Sequence, residues 1–306
     1  MLAKVILSLV IIGMLVLSSW FLYQNIPGEP VTLRGNFSSV NNMQINEVSM
    51  FYPNLRFRDN KISYYIDSSC SDLRRDKIIE ALSIISDRTG SLSFYISNEE
   101  SAEILAGCSR DYISPEENVF VAGEGGPTKI INTTNFNVIL KGKIMLYKES
   151  DKTCKEPIIE LHELLHVFGF DHSLDSSNIL YAYSSCNQKL KSETILTLQK
   201  LYSVKSLPDL FFSSVNATKK GVYLDFEAQI VNNGLKDAEN VSIIISADGK
   251  KVYSADIGDI VIGGGRILSV KNAKLPERET SSVVFSINSN EEEINLQNNV
   301  AYLSVD

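Results

Sequence analysis

The chain has 306 residues and three histidines, and all three fall in one short window, HELLHVFGFDH, as His162, His166 and His172. On a helix, residues four apart lie on the same face, so the rings of His162 and His166 can converge on one ion. Gly169 can leave the helix at positive φ with little steric cost, which brings His172 in from another direction. Three neutral imidazoles with one open position describe a catalytic zinc site rather than a closed structural one. Zinc held this way lowers the pKa of a bound water to about 7 and polarises a carbonyl. Glu163 faces the same cleft without needing to ligate, so it is the candidate catalytic residue, taking a proton from that water and passing it on. The residue types therefore predict hydrolysis without a covalent intermediate.

The window, extended through His172-Ser-Leu-Asp175-Ser-Ser-Asn178-Ile-Leu180-Tyr181, resembles the metzincin metallopeptidases and among them the matrixins most. The resemblance implies one catalytic Zn2+ on His162, His166 and His172, Glu163 as general base and acid, and protein or peptide substrates. It also implies an extended substrate paired with an edge strand. By order in the chain that strand is Thr128–Asn132, with the loop Ala182–Lys191 walling the pocket just past the cut bond. One departure stands out: Leu180 occupies the metal-turn position where matrixins carry methionine, with Tyr181 following as it does there. Leucine for methionine is close to a volume-conserving swap, so the site is expected to survive with altered stability or metal affinity. Tyr181 and Tyr183 read as packing residues, with hydrogen bonding in the transition state as the alternative. Asp171 and Asp175 either orient a ligand histidine or are solvated loop carboxylates. No histidine remains for a second, structural zinc, and Cys70 in Asp-Ser-Ser-Cys-Ser-Asp is no cysteine switch. Structural Ca2+ stays an open option that nothing specific indicates, because its carboxylate and carbonyl ligands leave only a diffuse signature.

The elements that must position these groups occupy residues 46–204. A strand is expected at Ile62–Ile66 and an amphipathic helix at Asp72–Asp87, where Ile78, Ile79, Leu82 and Ile85 recur at helical spacing before Gly90. Strands follow at Leu92–Ile96 and Ala102–Leu105. Gly123, Gly125 and Gly126 predict a loop before Thr128–Asn132, and Val138–Tyr147 predicts another strand. Pro157 starts the active-site helix, and Ser192–Tyr202 forms a closing helix capped by Ser192. This order matches a matrixin catalytic domain: an α+β fold with a mixed, about five-stranded twisted sheet, an active-site helix and a closing helix.

Residues 207–306 change texture. Seven short alternating runs, beginning at Leu210, Val222, Val241, Lys251, Ile267, Ser281 and Val300 and punctuated by Asn233-Gly234 and Asp248-Gly249, predict an all-β immunoglobulin-like sandwich. Its Leu-Pro-Asp-Leu opening, Val231-Asn-Asn-Gly234, Asn240-Val-Ser and Asn295-Leu-Gln-Asn-Asn299 resemble CARDB domains. That resemblance implies a spacer or interaction module, with a cell-surface or polymer ligand as a further option.

The surroundings fix the compartment. Val5–Tyr23 is apolar and uncharged, close to the ~20 residues that span a bilayer, and it lacks a clear signal-peptidase site. Residues 1–24 therefore read as a signal anchor, with a cleaved signal peptide as the alternative, and residues 25–45 as a linker. Lys4 precedes the span, placing the remainder outside the cytoplasm. All four cysteines lie beyond it, and in an oxidising space they pair. Of the three connectivities, Cys70–Cys108 with Cys154–Cys186 is preferred, because the second loop encloses the active-site helix and the metal turn and restrains them by about 3–4 kcal/mol. Sequons at Asn36, Asn132, Asn216 and Asn240 permit glycosylation. A formal charge of −8 with no basic stripe excludes nucleic acid as a partner. The expectation is an extracytoplasmic zinc endopeptidase held in the cell membrane, or secreted if the segment is removed. The alternative is a surface-binding or adhesion protein with a structural or vestigial zinc site.

Overall fold

The computed structural model describes residues 2–37, 48–110, 121–147 and 154–304; the expected domain start at Asn46 lies outside them. The chain divides into two compact units. One comprises Met1–Val40, Pro208–Asn232 and Asp237–Asp306, the other Asn41–Leu207 with Asn233–Lys236.

Helix α1 (Leu2–Asn25) has 24 residues and so runs about 36 Å, enough to cross a ~30 Å hydrocarbon layer. Its apolar side chains from Val5 to Tyr23 stand exposed rather than packed in a core. The expected linker is replaced in part by strand β1 (Pro30–Phe37). Among the residues whose burial is described, Pro30–Gly35, this segment sends Leu33 alone into the core, too little alternation to announce a strand.

The inner unit is built on a six-stranded sheet. Its strands are β2 (Leu55–Phe57), β3 (Lys61–Ile66), β4 (Ser93–Ile96), β5 (Ile104–Cys108), β6 (Gly123–Asn132) and β7 (Asn137–Leu146). The order is β2-β7-β5-β3-β4, all parallel, with β6 antiparallel on β7 and otherwise unpaired among the described residues. Helix α2 (Asp72–Thr89) starts where the Ser71 hydroxyl accepts the Arg74 N–H, and it ends at Gly90 at φ 65°. It buries Ile78, Leu82 and Ile85 as the spacing predicts, whereas Ile79, expected on the same stripe, is 41% exposed. Helices α3 (Ile158–Val167) and α4 (Ser192–Ser203) complete the unit. The cap expected at Ser192 is not formed: Lys191 takes that position with no side-chain cap bond, and the Ser192 hydroxyl bonds Glu193 instead. The end of α4 is held by buried Arg56 of β2, which donates to the carbonyls of Leu201 and Val204 and lies over the Tyr202 ring. That long-range partner satisfies carbonyls which a helix end leaves open.

In the outer unit the seven expected strands appear as β8 (Leu210–Lys220), β9 (Tyr223–Asn232), β10 (Ala238–Ala247), β11 (Lys250–Ile260), β12 (Gly265–Lys274), β13 (Ser282–Asn288) and β14 (Val300–Ser304). β1 is the eighth, and it joins the two sheets. Its first half, Pro30–Leu33, pairs with β8, and its second half, Arg34–Phe37, pairs with β14. The crossover falls between Leu33 and Arg34, and at the next residue, Gly35, a Cβ would sit 2.0 Å from the Tyr302 carbonyl oxygen. The order β11-β10-β13-β14-β1-β8-β9-β12 thus wraps around a core containing Leu33, Phe212, Phe226, Ile243, Phe285 and Leu303. The inner unit is therefore an insertion between the first and second strands of the sandwich.

Candidate metal centre

Helix α3 is buried along nearly its whole length, with Leu161, Leu164, Leu165 and Val167 in the core. An ion pair between buried Arg74 of α2 and buried Glu160 fixes its first turn. Gly169 ends it at φ 90°, in space where a Cβ would meet Leu55 at 2.3 Å. The turn that the glycine predicted is made, and it delivers His172 to the other two histidines.

The three imidazoles converge. Nε2 of His166 lies 2.9 Å from Nε2 of His162 and 3.2 Å from Nε2 of His172. Ligands at 2.0–2.1 Å from a tetrahedral zinc stand about 3.3 Å apart, so the spacing approaches that of a metal triad. Nδ1 of His162 is 2.6 Å from the Ile179 carbonyl, and Nδ1 of His166 is 2.7 Å from that of Phe170. Carbonyls only accept, so both Nδ1 atoms carry the proton and both Nε2 lone pairs face one point. Lone pairs directed at each other at such distances repel unless a cation lies between them. The donor set therefore fits a metal ion, and nitrogen ligands of this number suit zinc.

Burial sets the electrostatics. It lowers the His162 pKa and pushes His166 down to about 4, keeping both neutral. It also pushes the Glu163 carboxyl up to about 8, with the charges of Glu124 and Glu160 adding and the Gly125 N–H opposing. A divalent cation among the histidines would favour the ionised carboxylate instead. His172 is exposed, so the cluster opens into a cleft of about 710 Å³ that Glu163 also lines.

Several expectations are corrected here. The stretch expected as a glycine loop is the first part of β6, and Gly123–Gly125 line the cleft rather than Thr128–Asn132. Glycine serves there because α3 passes so close: a Cβ on Gly125 would lie 2.1 Å from the Glu163 carbonyl oxygen. Asp175 orients no histidine. It binds Lys191 at 2.9 Å and the Ser177 hydroxyl, which holds its carboxyl down at about 2. Asp171 accepts the backbone N–H of His172, while backbone carbonyls orient the two buried rings. Tyr183, read as packing, is instead 67% exposed and lines the cleft. Tyr181 lies beside it, with ring centroids 6.0 Å apart.

Leu180 is fully buried in the core. Its turn is held by its own N–H on the Asn178 side chain and by its carbonyl accepting from Ser173, so the preceding Ile179 carbonyl is fixed for His162. Cys70–Cys108 and Cys154–Cys186 are both formed, and the second pair lines the cleft together with loop residues Ala182–Ser185. Sequence reasoning missed Phe51. Its ring stacks on His166 at 5.8 Å, and its N–H donates to the Gly169 carbonyl. Nothing local to Phe51 signals that contact.

No family model and no curated protein matches the chain. Among solved structures it is similar to the CARDB domain of a Pyrococcus furiosus protein, crystallised in complex with di-metal ions. The two share 14% identity over 32% of this chain and 88% of that one, with a TM-score of 0.27. A solution structure of the same domain gives 13% identity, 32% and 94% coverage and a TM-score of 0.26. A Methanosarcina acetivorans domain gives 18%, 32% and 91%, and 0.25.

Proposed function

We propose that the chain is a membrane-anchored, extracytoplasmic zinc endopeptidase. The observation that carries this reading is the convergence of three imidazole Nε2 atoms, two of them with Nδ1 held by backbone carbonyls, in a cleft shared with Glu163. A bound zinc ion would supply an acidified water and a Lewis acid for the scissile carbonyl. The protein's own groups do the rest. Glu163, whose pocket stabilises the protonated form, takes the proton from the attacking water and delivers it to the leaving amine. The Gly125 N–H holds the Glu163 carboxyl in place. The edge of β6 beside the cleft offers backbone groups to an extended peptide. His162 and His166 stay neutral and oriented because their Nδ1 protons are committed to Ile179 and Phe170.

The test is zinc content together with cleavage of an unstructured protein. One zinc per chain is expected, with activity abolished by chelation and restored by Zn2+, and Glu163→Ala should retain metal while losing cleavage. Full zinc-dependent proteolysis by Glu163→Ala would overturn the mechanism. Stoichiometric zinc without cleavage of any peptide would favour a surface-binding protein with a structural ion.

A further inference from the structure

The outer unit has two ends, which the strand registers separate. Pro30, Lys220, Tyr223, Lys250 and Lys274 lie at one end; Phe37, Leu210, Asn232, Ile260 and Gly265 lie at the other. Strands of 10 or 11 residues put the ends about 30 Å apart. Helix α1 joins at the first end. The chain leaves for the inner unit after Phe37 and returns at Pro208, at the second.

The junction with α1 is a clamp rather than a leash. Arg278 donates through Nη1 to the carbonyls of Tyr23 (2.7 Å) and Ile26 (2.8 Å), and its guanidinium lies 4.6 Å over the Tyr23 ring. Lys274 reaches the Asn25 side chain at 3.3 Å. A helix C-terminus leaves carbonyls open and favours positive charge. Gly28 passes close to Gly221 in the β8–β9 turn, where a Cβ would find the Gly221 nitrogen at 3.1 Å. Trp20 and Tyr23 are both exposed at this end of α1. Aromatic residues of that type settle at the level of lipid headgroups, so Arg278, stacked on Tyr23, shares that depth.

The charge at this end fits the same layer. Three of its acidic groups are engaged locally, Asp225 with Lys220, Glu277 with Lys250, and Asp248 with the Ser282 hydroxyl and N–H, while Glu29 and Glu279 stand exposed beside them. Lys251 and Lys271 point out exposed, giving a basic margin on a chain with formal charge −8.

We propose that this end of the sandwich is a lipid-docking surface, in which Arg278 and Lys274 clamp α1 and, with Lys251 and Lys271, engage the phosphates of anionic lipids. The proposal rests on α1 being a retained membrane anchor. Its consequence is a fixed stalk that holds the attachment points of the inner unit about 30 Å from the headgroups.

The experiment uses the full chain reconstituted in nanodiscs, with a fluorophore on a cysteine introduced at Ser281, at the near end, or at Val261, at the far end. Quenching is read with headgroup spin-labelled lipid. With phosphatidylglycerol present, quenching at 281 should exceed that at 261 by about three-fold or more, given the ~30 Å separation. Lys251→Glu with Lys271→Glu, or Arg278→Glu, should cut the 281 signal about two-fold, as should pure phosphatidylcholine. The double variant leaves the clamp intact and so guards against misfolding of the junction. Equal quenching at both positions, or quenching indifferent to charge and lipid, would overturn the docking surface while α1 remains embedded. Loss of residues 1–25 by mass, or release by alkaline carbonate, would overturn the anchor reading and the docking surface with it.

Discussion

Gly125 gives the most discriminating perturbation of the cleft. A methyl group there would sit 2.1 Å from the Glu163 carbonyl oxygen and 2.7 Å from its carbonyl carbon, against 3.4–4 Å for ordinary contact. Both partners are backbone, so β6 and α3 must separate by about 1 Å. A displacement of that size near reacting groups costs about 100-fold in rate, and overpacking of this kind costs about 1–3 kcal/mol in stability. Gly125→Ala should therefore lower kcat about 100-fold. It should lower the melting temperature by about 3–10 °C while leaving the zinc content near one, because no histidine moves with β6. Gly126 supplies the control, since a Cβ there meets nothing within 4 Å and Gly126→Ala should stay within a factor of about two of the parent protein in rate. Parallel measurement of peptide hydrolysis, zinc content and thermal unfolding on both variants decides the matter. If Gly125→Ala and Gly126→Ala behaved alike, the close approach of β6 to α3 would not govern the position of Glu163.

Two further outcomes follow from the site. In zinc-free protein the Glu163 carboxyl, pushed up to about 8, contributes stability that is complete below its unfolded pKa near 4.5 and is lost as the pH rises through 8. Glu163→Gln should therefore raise zinc-free stability at pH 7 by about 3 kcal/mol and leave it unchanged at pH 4.5; an equal gain at both, by urea unfolding, would refute the cause. Removing Cys154–Cys186 or Cys70–Cys108 by paired serine substitutions should each cost about 3–4 kcal/mol, since the loops are similar at separations of 32 and 38. Only the first pair lines the cleft, so only the first should lower peptide hydrolysis beyond what instability explains.

What could be read before the structure was what depends on near neighbours. The four-residue spacing of His162 and His166, the turn at Gly169, the buried stripe of α2 and the alternation of β8 to β14 are all local patterns. What could not be read depends on partners far along the chain. The Ile179 and Phe170 carbonyls that orient the imidazoles belong to the backbone and leave no mark in residue type. Gly123, Gly125 and Gly126 read as a loop by composition, yet they lie in a strand, and at Gly125 the α3 backbone claims the space a side chain would fill. Phe51 is positioned by Gly169, more than a hundred residues away.

β1 is the extreme case, and it changes how the molecule can be divided. Its partners β8 and β14 follow only after the whole inner unit, so the sandwich cannot close until the insertion has been made and its ends brought together. A fragment cut at the expected domain boundary near residue 46 would lack β1. The edges of β8 and β14 would then lie open, the two sheets would lose their shared strand, and the site filled by Leu33 would be vacated. Burial of that side chain alone is worth about 1.5–3 kcal/mol. A fragment beginning at residue 27 keeps all of this and removes only α1. Limited proteolysis should leave residues 208–304 intact in the longer fragment and degrade them in the shorter. Equal resistance would mean that the seven later strands fold without β1, and that its pairing with β8 and β14 adds little to their stability.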